Sequence, residues 1–257
     1  SKARRCCPDA EIEIYDQDEF ISYVGCGLPY FIGGHSPNWR RLLARLPDEF
    51  ESRQNIRVFL RHRVNSIDIG NKTLRVADLE GVSESSIPYD TLVIGTGAAP
   101  IVPPLWGKDL DGVFVLRSLT NALEMKSFID LQAPHRAVIV GAGAIGLEMC
   151  EALRRLDMEV HLVELAEQVL PPMDADLASQ VASQLERNGV TLHLGAEVKG
   201  LHGGEGTVTG VSAGTEEIET DMVLLSIGIK PASALAEKAG VELGARGAIR
   251  VDERMRT

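Results

Sequence analysis

Apolar positions along the chain fall into three patterns, and each predicts a different element. Uninterrupted runs at Thr91-Leu92-Val93-Ile94, Ala137-Val138-Ile139-Val140 and Asp221-Met222-Val223-Leu224-Leu225 end within a few residues at glycine, which predicts strands buried on both faces. Strict alternation in Ala10-Glu11-Ile12-Glu13-Ile14-Tyr15-Asp16 predicts a strand with one buried face, closing on a carboxylate. Helical spacing predicts helices over 116–131, 147–156 and 177–187, the last ended by the left-handed cap signal Asn188-Gly189. Between Trp39 and Asn55 the stripe Leu42, Leu43, Leu46, Phe50 predicts helical segments interrupted at Pro47. Residues 56–77, with the turn Gly70-Asn71-Lys72, read as an antiparallel meander, and 190–218 alternate in the same way.

The order of these elements carries more than any one of them. The strand 137–140 runs into Gly141-Ala142-Gly143-Ala144-Ile145-Gly146, then a helix, then Val160-His161-Leu162-Val163-Glu164. A G-x-G-x-x-G alone is weak, but strand, glycine turn, helix, strand and terminal acid in this order predict a dinucleotide site. Gly141 makes the tight turn, Gly143 admits a pyrophosphate, and Gly146 lets helix and strand pack closely. Glu164 would accept hydrogen bonds from an adenosine ribose and repel a 2′-phosphate, and Leu165, Ala166 and Glu167 supply no cation, so NADH is expected in preference to NADPH.

Two further segments share one layout, an acid, an apolar run and a glycine turn: Asp90 to Gly97 and Asp221 to Gly228. Their recurrence predicts a second domain inserted within the first. Asp16 closes a strand as a ribose-holding acid would, and Thr96-Gly97 offers main-chain amides to a second cofactor. The first residues read as the last turns of a helix ending at Pro8 and the last ones as an open end, so both termini are expected to fall within a larger domain.

Composition narrows the chemistry. With 257 residues, 44% hydrophobic, the chain can bury a sizeable core, and a net charge of −11 argues against nucleic acid as a partner. No apolar run is long enough to span a bilayer. The cysteines, Cys6, Cys7, Cys26 and Cys150, have no metal or dithiol spacing, and six scattered histidines add none, so no metal site and a reducing, cytoplasmic setting are expected. Seven arginines between Arg40 and Arg63 read as a solvated face, with a surface for a phosphorylated substrate as the alternative.

Cys26 stands apart, between Gly25 and Gly27, just after the first strand and its loop. A lone cysteine more often fills core volume, but a thiolate with bare backbone on both sides is open to a flat cofactor or a disulfide.

Together, Asp16, Thr96-Gly97-Ala98-Ala99-Pro100, Gly141 to Gly146, Asp221 to Pro231 and Val251-Asp252-Glu253 resemble the pyridine nucleotide-disulfide oxidoreductases. Ser22, Cys26-Gly27-Leu28-Pro29-Tyr30 and Ile32-Gly33 resemble its single-cysteine branch, which holds coenzyme A-disulfide reductases, persulfide reductases and NADH oxidases. Gly25 and Gln54 depart from residues common in the reductases. The resemblance implies an α/β fold of two Rossmann-like three-layer nucleotide-binding domains with antiparallel meanders. Residues 1–107 would begin an FAD domain, 108–228 form the inserted NAD domain and 229–257 return to the first, the flavin glycine loop and a dimerisation domain being absent.

The same resemblance implies FAD and NADH as cofactors and Cys26 as the catalytic sulfur, acting on a coenzyme A disulfide or persulfide. It places Arg5 and Ser22 at coenzyme A, Glu148 near the nicotinamide and flavin rings, and Gly228 with the other cofactor-binding residues. It implies a homodimer in the intact protein and a small-molecule disulfide as the partner. An NADH oxidase or peroxidase cycling Cys26 through a sulfenic acid is the alternative, and an isolated nucleotide-binding fragment without activity a second.

Overall fold

A computed structural model describes residues 2–81, 83–105 and 107–257. By its contacts the chain forms two compact units, one of residues 1–24, 42–99 and 230–257, the other of 25–41 and 100–229. The first is discontinuous in sequence, and residues 25–41 pack with the second unit.

The second unit is built on a five-stranded, all-parallel sheet. Its strands run in the order Val190–His193, Glu159–Val163, Arg136–Val140, Met222–Leu225, Val113–Val115. Side chains alternate across it. Val138, Val140, Val163, Val223 and Leu225 meet Leu201, Val208, Val211 and Ile218 of an antiparallel sheet made of Val198–Gly204, Thr207–Ala213 and Glu216–Glu219. Ile139, Leu162 and Leu224, each no more than 1% exposed, point the other way, toward the helices.

Those helices are Leu119–Gln132, Ala144–Arg154 and Ala175–Arg187. Ser118 caps the first by accepting from the Asn121 N–H at 3.2 Å, and Gly189, with φ +78°, supplies the left-handed exit after the third. The result is three layers, helices, parallel sheet and antiparallel sheet, in an α/β fold.

In the first unit Ile12–Tyr15 pairs in parallel with Ile56–Phe59. This corrects the reading of 56–77 as wholly antiparallel: the meander is His62–Asp68, Thr73–Asp78 and Ser83–Pro88. Its turn is fixed by Asp68, whose Oδ1 accepts from the Asn71 N–H at 2.8 Å and Oδ2 from the Asn71 amide at 2.8 Å, contacts that also lower the Asp68 pKa. Pro47 opens the helix Pro47–Gln54, where its missing N–H costs nothing.

The strand expected at Thr91–Gly95 does not form; the backbone there is irregular and Val93 is 86% exposed. Leu92 and Ile94 do pack on the meander core of Ile67, Leu74 and Val76. One face of the run is covered, but among the described residues no neighbouring strand offers its hydrogen bonds, and an apolar run without a ladder partner is not a strand.

Three of the seven arginines between Arg40 and Arg63 form ion pairs, and a fourth bonds to an amide. Arg53 pairs with Glu49 at 3.2 Å, Arg57 with Glu13 at 2.7 Å, Arg61 with Glu19 and Glu80, and Arg63 donates to Asn65 at 3.0 Å. Exposed pairs of this kind contribute little to stability and leave less positive surface than the sequence suggested.

Candidate active site

The glycine turn of the second unit is shaped by what each glycine meets. A Cβ on Gly141, whose φ is +104°, would lie 2.6 Å from the Ser226 carbonyl oxygen, and one on Gly146 would lie 2.1 Å from that of Gly141. A Cβ on Gly143 would meet nothing within 4 Å. Two glycines are therefore required by the fold itself, and the third leaves an open face at the N-terminus of an eleven-residue helix. That is the space a pyrophosphate needs, so the turn fits a dinucleotide.

Glu164 follows the next strand. Its Oε2 accepts from the Ala142 N–H at 2.7 Å and its Oε1 from the Ala166 N–H at 2.9 Å. Each oxygen keeps a second lone pair, which is what ribose hydroxyls would use. Leu165 beside it is 70% exposed.

Cys26 is exposed, on the single turn Gly25–Gly27 that leads into the helix Leu28–Ile32. Gly25 has nothing within 4 Å of where a Cβ would stand, so the approach is open on that side. Leu28, Pro29, Phe31 and Ile32 are buried and anchor the helix, while Tyr30 is 53% exposed. The anchor is close: a Cβ on Gly33 would lie 3.0 Å from Ala152 Cα, on the helix that follows the glycine turn. The sulfur is thus mounted on the second unit, which also carries the glycine turn. Glu148 is exposed on that same helix and lines a small recess with Pro29, Tyr30, His35, Glu151 and Ala152.

Cys150 shows the opposite environment. It is fully buried, and burial pushes its thiol up to about 12, which leaves it protonated and unreactive. Cys6 and Cys7 are exposed. Among the described residues no three metal-binding side chains converge.

The first unit holds the remaining candidates. Asp16 ends its strand, and its Oδ1 accepts from the Asp18 N–H at 2.9 Å. Thr96 donates its hydroxyl to the Ala232 carbonyl at 2.7 Å, and the Ala232 N–H donates to the Gly97 carbonyl at 3.0 Å, joining the outgoing and returning segments. Gly97 has φ +69°. These residues fit part of a flavin cradle, an acidic strand end and a bare turn.

Ser22 is half-buried in the left-handed region, φ +57°, an unfavourable setting for a residue with a side chain. Arg5 is exposed, while its neighbour Arg4 is tied to the carbonyls of Gln54 at 2.9 Å and Asn55 at 2.6 Å. Gly228, φ +120°, belongs to the second unit, where its carbonyl accepts from the Ile101 N–H at 2.9 Å. The structure therefore gathers Cys26, Gly141, Gly143, Gly146, Glu148, Glu164 and Gly228 in one unit, and Arg5, Asp16, Ser22, Thr96 and Gly97 in the other. Ser226 and the Gly33 contact were missed from sequence. Ser226 lies within the acid, apolar run and glycine turn of 221–228, but a single serine there carries no periodic signal.

A parallel sheet with this glycine turn, an acid after the next strand and an open thiol on the turn before an adjoining helix defines the class, a nucleotide-binding oxidoreductase fold. The chain belongs to the pyridine nucleotide-disulphide oxidoreductase family, whose profile it matches over residues 1–257. It is 34% identical over 258 residues to an NADH oxidase of Methanocaldococcus jannaschii, covering all of this chain and 57% of that protein. It is 32% identical to a CoA-dependent NAD(P)H sulfur oxidoreductase of Pyrococcus abyssi, covering all of this chain and 56% of the other. Among solved structures, an NAD-dependent persulfide reductase from A. fulgidus superposes with a TM-score of 0.96 at 37% identity, over 100% of this chain and 48% of that one. The chain thus spans just over half the length of the curated relatives it matches.

Proposed function

We propose that the protein bearing this chain reduces a small thiol disulfide or persulfide of the coenzyme A type with NADH, through a single sulfur, Cys26. One observation carries the reading: the open thiol of Cys26 sits on the turn that leads into the helix Leu28–Ile32, which packs against the helix after the glycine turn. Similarity to a persulfide reductase and to a CoA-dependent sulfur oxidoreductase supports the substrate class.

In this reading Gly141, Gly143, Gly146 and Glu164 would hold NADH, with Glu148 toward the nicotinamide, Asp16, Thr96 and Gly97 would hold FAD, and Gly228 would be a further cofactor-binding residue. FAD held there would supply the two-electron chemistry that links the nicotinamide to the sulfur. The Cys26 thiolate attacks one substrate sulfur, breaks the S–S bond, releases one thiol and keeps the other as a mixed disulfide. Two electrons and a proton then free the second thiol and restore the thiolate, so NADH, a proton and one disulfide give NAD⁺ and two thiols. Arg5 and Ser22 would hold the substrate, Arg5 through a phosphate. Glu164 would select NADH over NADPH. We place the protein in the cytoplasm, as a homodimer, where its thiols stay reduced; no helix among the described residues is long and apolar enough to cross a membrane.

The test is Cys26→Ser in the intact protein. Turnover of coenzyme A disulfide or persulfide is expected to fall by about two orders of magnitude or more while NADH binding persists. Wild-type turnover by that variant would refute the assignment. The M. jannaschii relative favours a second reading, in which Cys26 cycles through a sulfenic acid with peroxide or oxygen. Titrating the reduced protein separates the two, since water formation without thiol release supports the oxidase.

A further inference from the structure

The peptide between Gly141 and Ala142 is gripped at both ends. Its carbonyl oxygen accepts the Ser226 hydroxyl at 3.0 Å, and its N–H donates to Glu164 Oε2 at 2.7 Å. The same hydroxyl lies 3.0 Å from the Val140 carbonyl oxygen, so its one proton is shared between two consecutive carbonyls at the end of the central strand. Ser226 and Glu164 arrive from opposite sides. One follows Met222–Leu225 and the other Glu159–Val163, the two strands that flank Arg136–Val140.

The gripped carbonyl is also the one against which Gly146 packs, and a Gly146 Cβ would stand 3.1 Å from Ser226 Oγ. Rotation of this peptide would turn its carbonyl into or away from the helix and tilt the open face at Gly143. The grip therefore presets the turn before a ligand arrives, which lowers the ordering cost of binding.

We propose that Ser226 is a positioning residue of the dinucleotide turn, clamping the Gly141–Ala142 peptide jointly with Glu164 so that the space over Gly143 is ready for a pyrophosphate. The proposal rests on reading this turn as the nicotinamide dinucleotide site. Ser226 touches no ligand in this role; it acts through the main chain.

The test uses the full chain and NADH as the probe, with binding measured by calorimetry and stability by thermal unfolding. Ser226→Ala is expected to weaken NADH binding about 2- to 10-fold, the range one neutral hydrogen bond covers. Ser212→Ala is the control for loss of a hydroxyl as such. Its Oγ bonds to Glu217 at 2.6 Å on the antiparallel sheet, and this variant should bind NADH as the unsubstituted chain does. Because Ser226 and Glu164 hold one peptide, the losses in Ser226→Ala and Glu164→Ala should fall short of multiplying in the double variant. Losses that multiply freely, or a Ser226→Ala chain with a lower Tm and unchanged NADH affinity, would overturn the clamp while leaving the dinucleotide site intact. An unsubstituted chain that binds no NADH would overturn the site reading itself.

Discussion

Thr91 to Gly97 and Met222 to Gly228 look alike in sequence, each an apolar run after an acid and before a glycine turn, yet they fold differently. Met222–Leu225 is the fourth strand of a five-stranded sheet, buried throughout, with parallel partners on both sides. Thr91–Gly95 has one covered face, no ladder partner among the described residues, and Val93 at 86% exposure. The difference teaches that an apolar run states a demand for burial, and that neighbouring chain decides whether the demand is met as a strand.

The sharpest way to break this comparison is a charge at one valine of each run. Val223→Asp places a carboxylate in a fully buried site and is expected to cost about 4 kcal/mol or more, enough to unfold the second unit. Val93→Asp should change stability by no more than about 0.5 kcal/mol. Denaturant titration followed by circular dichroism reads both, and equal effects would abolish the distinction.

Next in size are the glycines. Gly146→Ala would drive a Cβ into the Gly141 carbonyl, and Gly143→Ala would leave the fold intact but fill the space over the turn; both should weaken NADH binding by about tenfold or more. Gly95→Ala, with nothing within 4 Å, should change neither stability nor NADH affinity. Calorimetry on the three variants checks the contrast, and an effect at Gly95 as large as at Gly143 would end it.

A smaller effect separates the two thiols of the second unit. Iodoacetamide should label Cys26 in the folded protein and Cys150 only after unfolding, as peptide mass mapping would show. The Cys150 thiol, raised from 9.0 to about 12 by burial, also makes stability depend on pH. Between those values the unfolded chain has released a proton that the folded chain keeps, so stability falls as pH rises through this window. That slope should flatten in Cys150→Ala.

The smallest effect is expected at Thr96→Ala, which removes the hydroxyl's bond to the Ala232 carbonyl and should lower first-unit stability by about 1 kcal/mol. A loss several times larger would mean that this one tie governs the return of the chain into the first unit.

Much of the second unit is legible in the sequence. The strand, glycine turn, helix, strand and acid from Ala137 to Glu164 constrain one another locally, because the turn tolerates no Cβ at Gly141 or Gly146 and the periods 2 and 3.6 are written in adjacent residues. The first unit was less legible, since its parallel pair joins Ile12–Tyr15 to Ile56–Phe59 across a long stretch of chain that periodicity does not connect.

Sequence by itself determined the glycine turn, the acid after the next strand and the oddity of a thiol between two glycines, all of them properties of contiguous residues. Tertiary structure alone decided that Cys26 is open while Cys150 is sealed, that residues 25–41 join the second unit, and that Ser226 reaches the glycine turn. Each of these depends on what distant chain brings alongside a residue, and burial and hydrogen-bond partnership have no local period from which they could be read.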